Sequence, residues 1–294
     1  MTFSAKGRRG KVRVVDSQTV PDPEHDIKAP SAFLMMLEGR APWEFAAMLA
    51  AMPILNSAPR GDGHPVVVFP GLGANDVTTV PLRQFLARMG YAAYPWNFGF
   101  NFGPRAGVLR ACGELVKELQ DKHGQQVSLI GWSLGGVYAR EIAKEIPDTV
   151  RSVITLGTPF TGHPRATNAW RLYELVSGHQ VGDPAIHERI RQAPSVPTTS
   201  IYSRTDGVVA WQCSINPPAP HTENIEVHAS HVGMGMNPAV LFAIADRLAQ
   251  APGQWKPFEA TGNRKWFYRS SPGAAKFAPP ARASTRAQGD PQFA

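Results

Sequence analysis

From residue 64 onward, short unbroken apolar runs alternate with stretches whose apolar residues recur at helical spacing. His64–Phe69, Tyr91–Tyr94, Gln126–Ile130, Val150–Leu156, Pro197–Tyr202 and Asn224–His228 are rich in Val, Ile and other β-formers and mostly lack an inside–outside alternation. Strands covered on both faces read this way, because neither face needs polar side chains. Between them, Val80–Met89 sets Leu82, Phe85, Leu86 and Met89 on one helical face, closed by Gly90. Pro104–His123 does the same with Val108, Cys112, Leu115, Val116 and Leu119, with a proline inside its start and Gly124 past its end. Leu134–Ile146 carries Val137, Tyr138, Ile142 and Ile146 and stops at Pro147, and Asn237-Pro238 opens a last helix through Val240, Leu241, Ile244 and Leu248. Strand–helix alternation of this kind predicts an α/β fold with a mainly parallel central sheet and helices on both faces.

Outside this rhythm the pattern changes. Residues 1–28 are polar and read as an extended basic arm, and 29–60 read as two short helices divided around Gly39 to Pro42. The main domain spans 61–252. Within it, 161–196 is longer than a crossover requires and predicts a small helical cap, with pieces at Asn168–Ser177 and Pro184–Ala193, the second opened by Asp183-Pro184. The extension 253–294 has aromatic residues enough to dock as far as about Tyr268 and a disorder-prone composition beyond it.

Charge sharpens this division. The formal net charge is +7, yet residues 1–13 hold five Lys/Arg and no acid, and 263–294 hold six against Asp290 alone. The segment between is net acidic, so the folded body offers no basic footprint for nucleic acid. The ends are left to solubility or weak contact with an anionic membrane surface. Cys112 and Cys213 sit on apolar segments without metal-site spacing, which suits buried thiols in a reducing, cytoplasmic compartment. The basic N-terminus is not followed by the apolar core of a secretion signal. The longest apolar stretch, Ala41–Leu55, contains Glu44 and Pro53 and is too short to span a bilayer. The histidines form no metal-binding pattern, and nothing implies a cofactor.

The chemistry centres on Gly131-Trp132-Ser133-Leu134-Gly135, a G-x-S-x-G between a predicted strand and a predicted helix. That context places a serine on a strained turn, where small flanking residues avoid collision. A serine hydroxyl becomes nucleophilic only when a base takes its proton and a third group orients the base. In this topology acid and base follow the serine in that order. Asp206 stands just past a late strand and His231 in the loop between the last strand and the last helix, whereas His228 and His221 lie at or before that strand. Asp183 is better used as a helix cap. Backbone N–H groups of Leu134, at a helix start, and of Leu72, in Pro70-Gly-Leu-Gly73 after the first strand, are the candidates to bind an oxyanion.

Together these segments resemble the α/β-hydrolase superfamily, in particular bacterial lipase- and esterase-like members. The resemblance covers roughly 60–252 and is carried by Pro70-Gly-Leu-Gly, Gly131-Trp-Ser-Leu-Gly, Thr205-Asp-Gly-Val-Val and Ser230-His-Val-Gly, with Leu156-Gly-Thr-Pro-Phe160 like the loop that leads into a cap. It implies the α/β-hydrolase fold and cleavage of a small-molecule carboxylic ester, apolar on its acyl side, through an acyl-enzyme on Ser133. Many lipases have His-Gly where this chain has Pro70-Gly71. The proline form also occurs in related acyl-transferring and deacylating enzymes, so acyltransferase and thioesterase activities stand as alternatives, with a catalytically silent binding protein on the hydrolase fold as a further one. The N-terminal helix pair would pack on the hydrolase body, the commoner fate of such a stripe, or rim its acyl site.

Overall fold

The computed structural model describes residues 27–163, 165–177 and 184–269. The arm before residue 27, the capping role of Asp183, the disorder beyond 268 (from 270 onward) and most of the basic charge at the two ends lie outside them.

Six strands form one sheet: β1 (Pro65–Phe69), β2 (Ala92–Pro95), β3 (Val127–Trp132), β4 (Val150–Leu156), β5 (Thr198–Ser203) and β6 (Thr222–Val227). Their order is β2-β1-β3-β4-β5-β6 and every neighbouring pair is parallel. The pleat sorts each strand's apolar residues into two cores. Val66, Val68, Ile130, Trp132, Ile154, Leu156, Ile201 and Ile225 face one core; Val67, Phe69, Val127, Leu129 and Val153 face the other.

Helices α3 (Val80–Met89) and α8 (Pro238–Leu248) close the first core, joined by α2 (Ala41–Leu55). Helices α4 (Val108–His123) and α5 (Leu134–Glu145) close the second. The predicted helix from Pro104 begins instead at Val108, because Gly107 takes a left-handed φ of 80° and the preceding residues turn. Both cysteines are buried thiols, Cys112 in α4 and Cys213 in a 3-10 turn.

Helix α1 (Ala32–Met36) runs through a 3-10 turn (Leu37–Arg40) directly into α2, so no loop divides the N-terminal pair at Gly39 to Pro42. Apart from Glu44, helix α2 is apolar all round. Met48 and Leu55 enter the core while Trp43 and Ile54 remain 77% and 72% exposed. In the insertion, Thr167 bridges Val209 and the Asn168 amide donates to the Val208 carbonyl, so the segment leaves the body beside residues 206–209. Its helices α6 (Trp170–Ser177) and α7 (Pro184–Arg191) follow, and Arg189 pairs with Glu141 of α5 at 2.7 Å. Among the described residues, no helix is long and apolar enough to cross a membrane.

Candidate active site

In a parallel sheet the strands' carboxyl ends gather the loops that carry chemistry. Ser133 stands immediately after β3 with φ 53° and ψ −124°, one of two non-glycine residues with positive φ among those described. Three missing side chains make this turn possible. A Cβ on Gly131 would lie 2.2 Å from Gly136 Cα, one on Gly135 would lie 2.3 Å from the Phe69 carbonyl oxygen, and one on Gly136 would strike Thr158. The Ser133 amide donates to the Leu156 carbonyl at 2.8 Å, which anchors the strained residue to β4.

Asp206 lies three residues beyond β5 and is buried. Its Oδ1 accepts the amides of Val208 and Val209, both at 2.8 Å, and its Oδ2 lies 2.7 Å from His231 Nδ1. His231 follows β6, buried in the loop before α8. Burial acts to lower its pKa, but the charge of Asp206, the hydrogen bond to it and the charge of Glu38 outweigh burial, and the pKa sits above the 6.5 of an ordinary histidine.

Asp206 and His231 are thus in direct contact, while Ser133 joins them through the backbone. The indole of Trp132 donates to the His231 carbonyl at 2.9 Å, tying the residue before the serine to the histidine loop. Gly157, next to the carbonyl that anchors Ser133, lies where a Cβ would be 3.0 Å from both Asp206 Oδ2 and His231 Nδ1. The site's hydrogen bonds join His231 to Asp206, not to Ser133.

Leu134 opens α5, among the first-turn amides that find no partner within a helix. On the opposite side, a Cβ on Gly71 would sit 3.2 Å from Ser133 Cβ, so the Pro70–Gly73 turn passes directly against the serine. Buried Asn101 holds that turn: its backbone carbonyl accepts from Gly73 at 2.7 Å, its amide donates to Ala74 and its side chain donates to the Pro70 carbonyl, each at 2.8 Å. Phe100 and Phe102 flank it, partly exposed and stacked 5.7 Å apart.

Sequence reasoning missed Asn101, and it also missed Glu38 and Glu44. Glu38 is buried in the 3-10 turn and accepts three amides, from Gly207 (2.7 Å), His231 (2.9 Å) and Val232 (2.9 Å). Glu44 accepts from the Ser230 amide (2.8 Å) and hydroxyl (2.6 Å). Residues 29–55 contain only three charges, Glu38, Arg40 and Glu44. A charge isolated in an apolar stretch is the signal from which buried, partnered roles were available to be read.

A second Ser–His–Asp chain exists at the other end of the sheet. Asp62 Oδ1 is 2.5 Å from His64 Nδ1, and His64 Nε2 is 2.9 Å from the Ser128 hydroxyl. His64 and Ser128 are fully buried, at the amino ends of β1 and β3, and Ser128 continues into Ser152 at 3.0 Å. With its serine and imidazole fully buried and no strained turn, that chain is part of the scaffold. Among the described residues, no group of three or more His, Cys, Asp or Glu could hold a metal ion.

Known proteins share this architecture. The chain is similar to Aspergillus fumigatus lipase B (18% identity, TM-score 0.50), with 67% of this chain matched to 56% of that one. It is also similar to Paleococcus ferrophilus monoacylglycerol lipase (15%, TM-score 0.48, 65% of this chain and 96% of that one). A third likeness is to the thioesterase domain from the curacin biosynthetic pathway (13%, TM-score 0.45, 64% and 92%). Comparison with curated protein sequences gave no match. The family model described as "Alpha/beta hydrolase family" matches residues 39–264. With a six-stranded parallel sheet, the elbow after β3 and a family match over most of its length, the chain belongs to the alpha/beta hydrolase family.

Proposed function

We propose that the protein is a serine hydrolase that cleaves a carboxylic ester through an acyl-enzyme on Ser133. The observation that carries the reading is the gathering, at the carboxyl ends of β3, β5 and β6, of a strained serine and a buried Asp–His pair. Ser133 attacks the ester carbonyl while His231 takes its proton, and Asp206 fixes the imidazole tautomer and stabilises the imidazolium. The amides of Leu72 and Leu134 bind the oxyanion that develops at the carbonyl. His231 then returns the proton to the leaving alcohol, and water enters by the reverse sequence to release the acid.

The exposed Phe100–Phe102 stack beside the Pro70–Gly73 turn, and half-exposed Val232 beside His231, favour an ester with an apolar acyl group. Thioester cleavage and transfer to an alcohol would use the same residues, and product analysis with a competing alcohol separates transfer from hydrolysis. The raised His231 pKa places the rising limb of kcat/KM above pH 6.5, since the base works only when neutral. Ser133→Ala is expected to abolish both p-nitrophenyl ester turnover and labelling by a fluorophosphonate. Labelling that survives the substitution overturns the assignment.

A further inference from the structure

We propose that Glu38 is a positioning residue for the reaction: a second buried carboxylate that fixes the histidine loop to the acid loop. The inference rests on the reading of Ser133, Asp206 and His231 given above. Asp206 reaches His231 through the imidazole, whereas Glu38 reaches it through the backbone. One oxygen, Oε1, accepts from both the Gly207 and the His231 amides, so a single atom joins the residue after the acid to the base itself. The other oxygen takes the Val232 amide. Three charge-assisted hydrogen bonds to one buried carboxylate form a rigid tie.

Helix α1 reinforces that tie. A Cβ on Gly207 would fall 2.3 Å from the Leu34 carbonyl oxygen, so the acid loop is pressed directly against α1. Arg40 donates to the Thr205 carbonyl at 2.8 Å and hydroxyl at 2.9 Å, and Glu44 holds Ser230. Both loops are therefore clamped from the same side by residues 34–44. Glu38 precedes by one residue the first position matched by the family model.

The charges near His231 are few. Asp206 faces it from the loop after β5 and Glu38 from the 3-10 turn. On α2, Glu44 accepts from the neighbouring Ser230, lies against Gly233 and is offset by Arg40 at 3.7 Å, and the Leu156–Gly157 segment behind the ring brings no charge. Removing the charge of Glu38 while keeping its shape should therefore move the pH profile. In Glu38→Gln the amide oxygen can keep the two donors shared by Oε1, but its NH2 then faces the Val232 N–H.

The test compares Glu38→Gln, Glu38→Asp and Glu44→Gln with the unaltered protein. Readouts are p-nitrophenyl ester kinetics across pH and the titration of the His231 ring proton by NMR, which needs no substrate. The expected result is a midpoint shifted to lower pH in Glu38→Gln on both readouts, with kcat reduced tenfold or more and KM within about threefold. Glu38→Asp should shift the midpoint less than Glu38→Gln because the charge remains, and should lose kcat because the shorter side chain cannot bridge both loops. Glu44→Gln should leave the midpoint in place.

An unchanged NMR midpoint together with kcat within twofold in Glu38→Gln overturns the proposal. If Glu38→Gln does not fold, Glu38→Asp decides, and an unreduced kcat in that variant would overturn the proposal equally. Ser133→Ala separates the two readings. Turnover retained by that variant overturns the site assignment and this inference with it; turnover lost there, with wild-type behaviour in the Glu38 variants, overturns this inference alone.

Discussion

Asp206→Asn is the most discriminating single change, because the surroundings of Asp206 dictate how the new amide must sit. Oδ1 is held by two backbone donors, the Val208 and Val209 amides. Turning the NH2 toward them would leave buried N–H groups unpaired, at about 1–3 kcal/mol each. The amide oxygen therefore stays in place and the NH2 points at His231 Nδ1. Nδ1 must then accept, which puts the ring proton on Nε2, and a protonated Nε2 cannot take the serine proton. The active tautomer survives only with two donors face to face in a buried site, and the imidazolium loses its counter-charge. A fall in kcat of about 10⁴-fold is expected, equivalent to roughly 5 kcal/mol of transition-state stabilisation. The rising limb should also move to lower pH, since both influences of Asp206 that lift the His231 pKa disappear. Ester kinetics across the pH range, with thermal unfolding as a control for the fold, check this. A folded variant with kcat within tenfold of wild type would refute the reasoning on tautomers.

The other expectations concern the scaffold. Gly131→Ala places a methyl 2.2 Å from backbone that cannot rotate away, so it should destabilise by about 3 kcal/mol or more, read as a lowered midpoint in urea. Asn101→Ala removes the side-chain bond to the Pro70 carbonyl and leaves the Gly103 amide without its acceptor. At about 1–3 kcal/mol for each buried group stranded, stability falls, and kcat should fall more than KM rises if the turn positions an oxyanion donor. His64 has its pKa lowered, with burial the largest cause, so the native state resists a proton that the unfolded chain accepts near pH 6.5. Its contribution to stability is present above that pH and is lost as pH falls toward the folded pKa. The stability gap between wild type and His64→Asn, measured by denaturant titration, should therefore shrink from pH 7.5 to pH 5.

The strands were legible because burial on both faces leaves uninterrupted apolar runs such as Val66-Val67-Val68, and helix α3 matched its periodic segment from Val80 to Met89. The start of α4 was not, since Pro104 is a good first-turn residue and nothing local announces the left-handed turn at Gly107. The strained turn at Ser133 and the meeting of Asp206 with His231 were legible from strand context and chain order, while their catalytic roles are the proposal made above. Glu38, Glu44 and Asn101 could not be assigned their partners, because each acts on backbone groups. An amide looks the same whatever residue carries it, so no pattern of side chains encodes which distant loop it belongs to.

The ties made by Glu38 span 169, 193 and 194 residues, most of the described chain. Contacts that distant close large loops, whose entropy is lost before the contacts repay it, so they slow folding. At a synthesis rate of about 5–20 residues per second, the segment around Glu38 waits roughly 10–40 s for its partners to be made. Through that interval α2 lacks α8, the helix it packs on, and its outer face is apolar already. The ties to the histidine loop can therefore form only once His231 and Val232 have been made, 193 and 194 residues after Glu38.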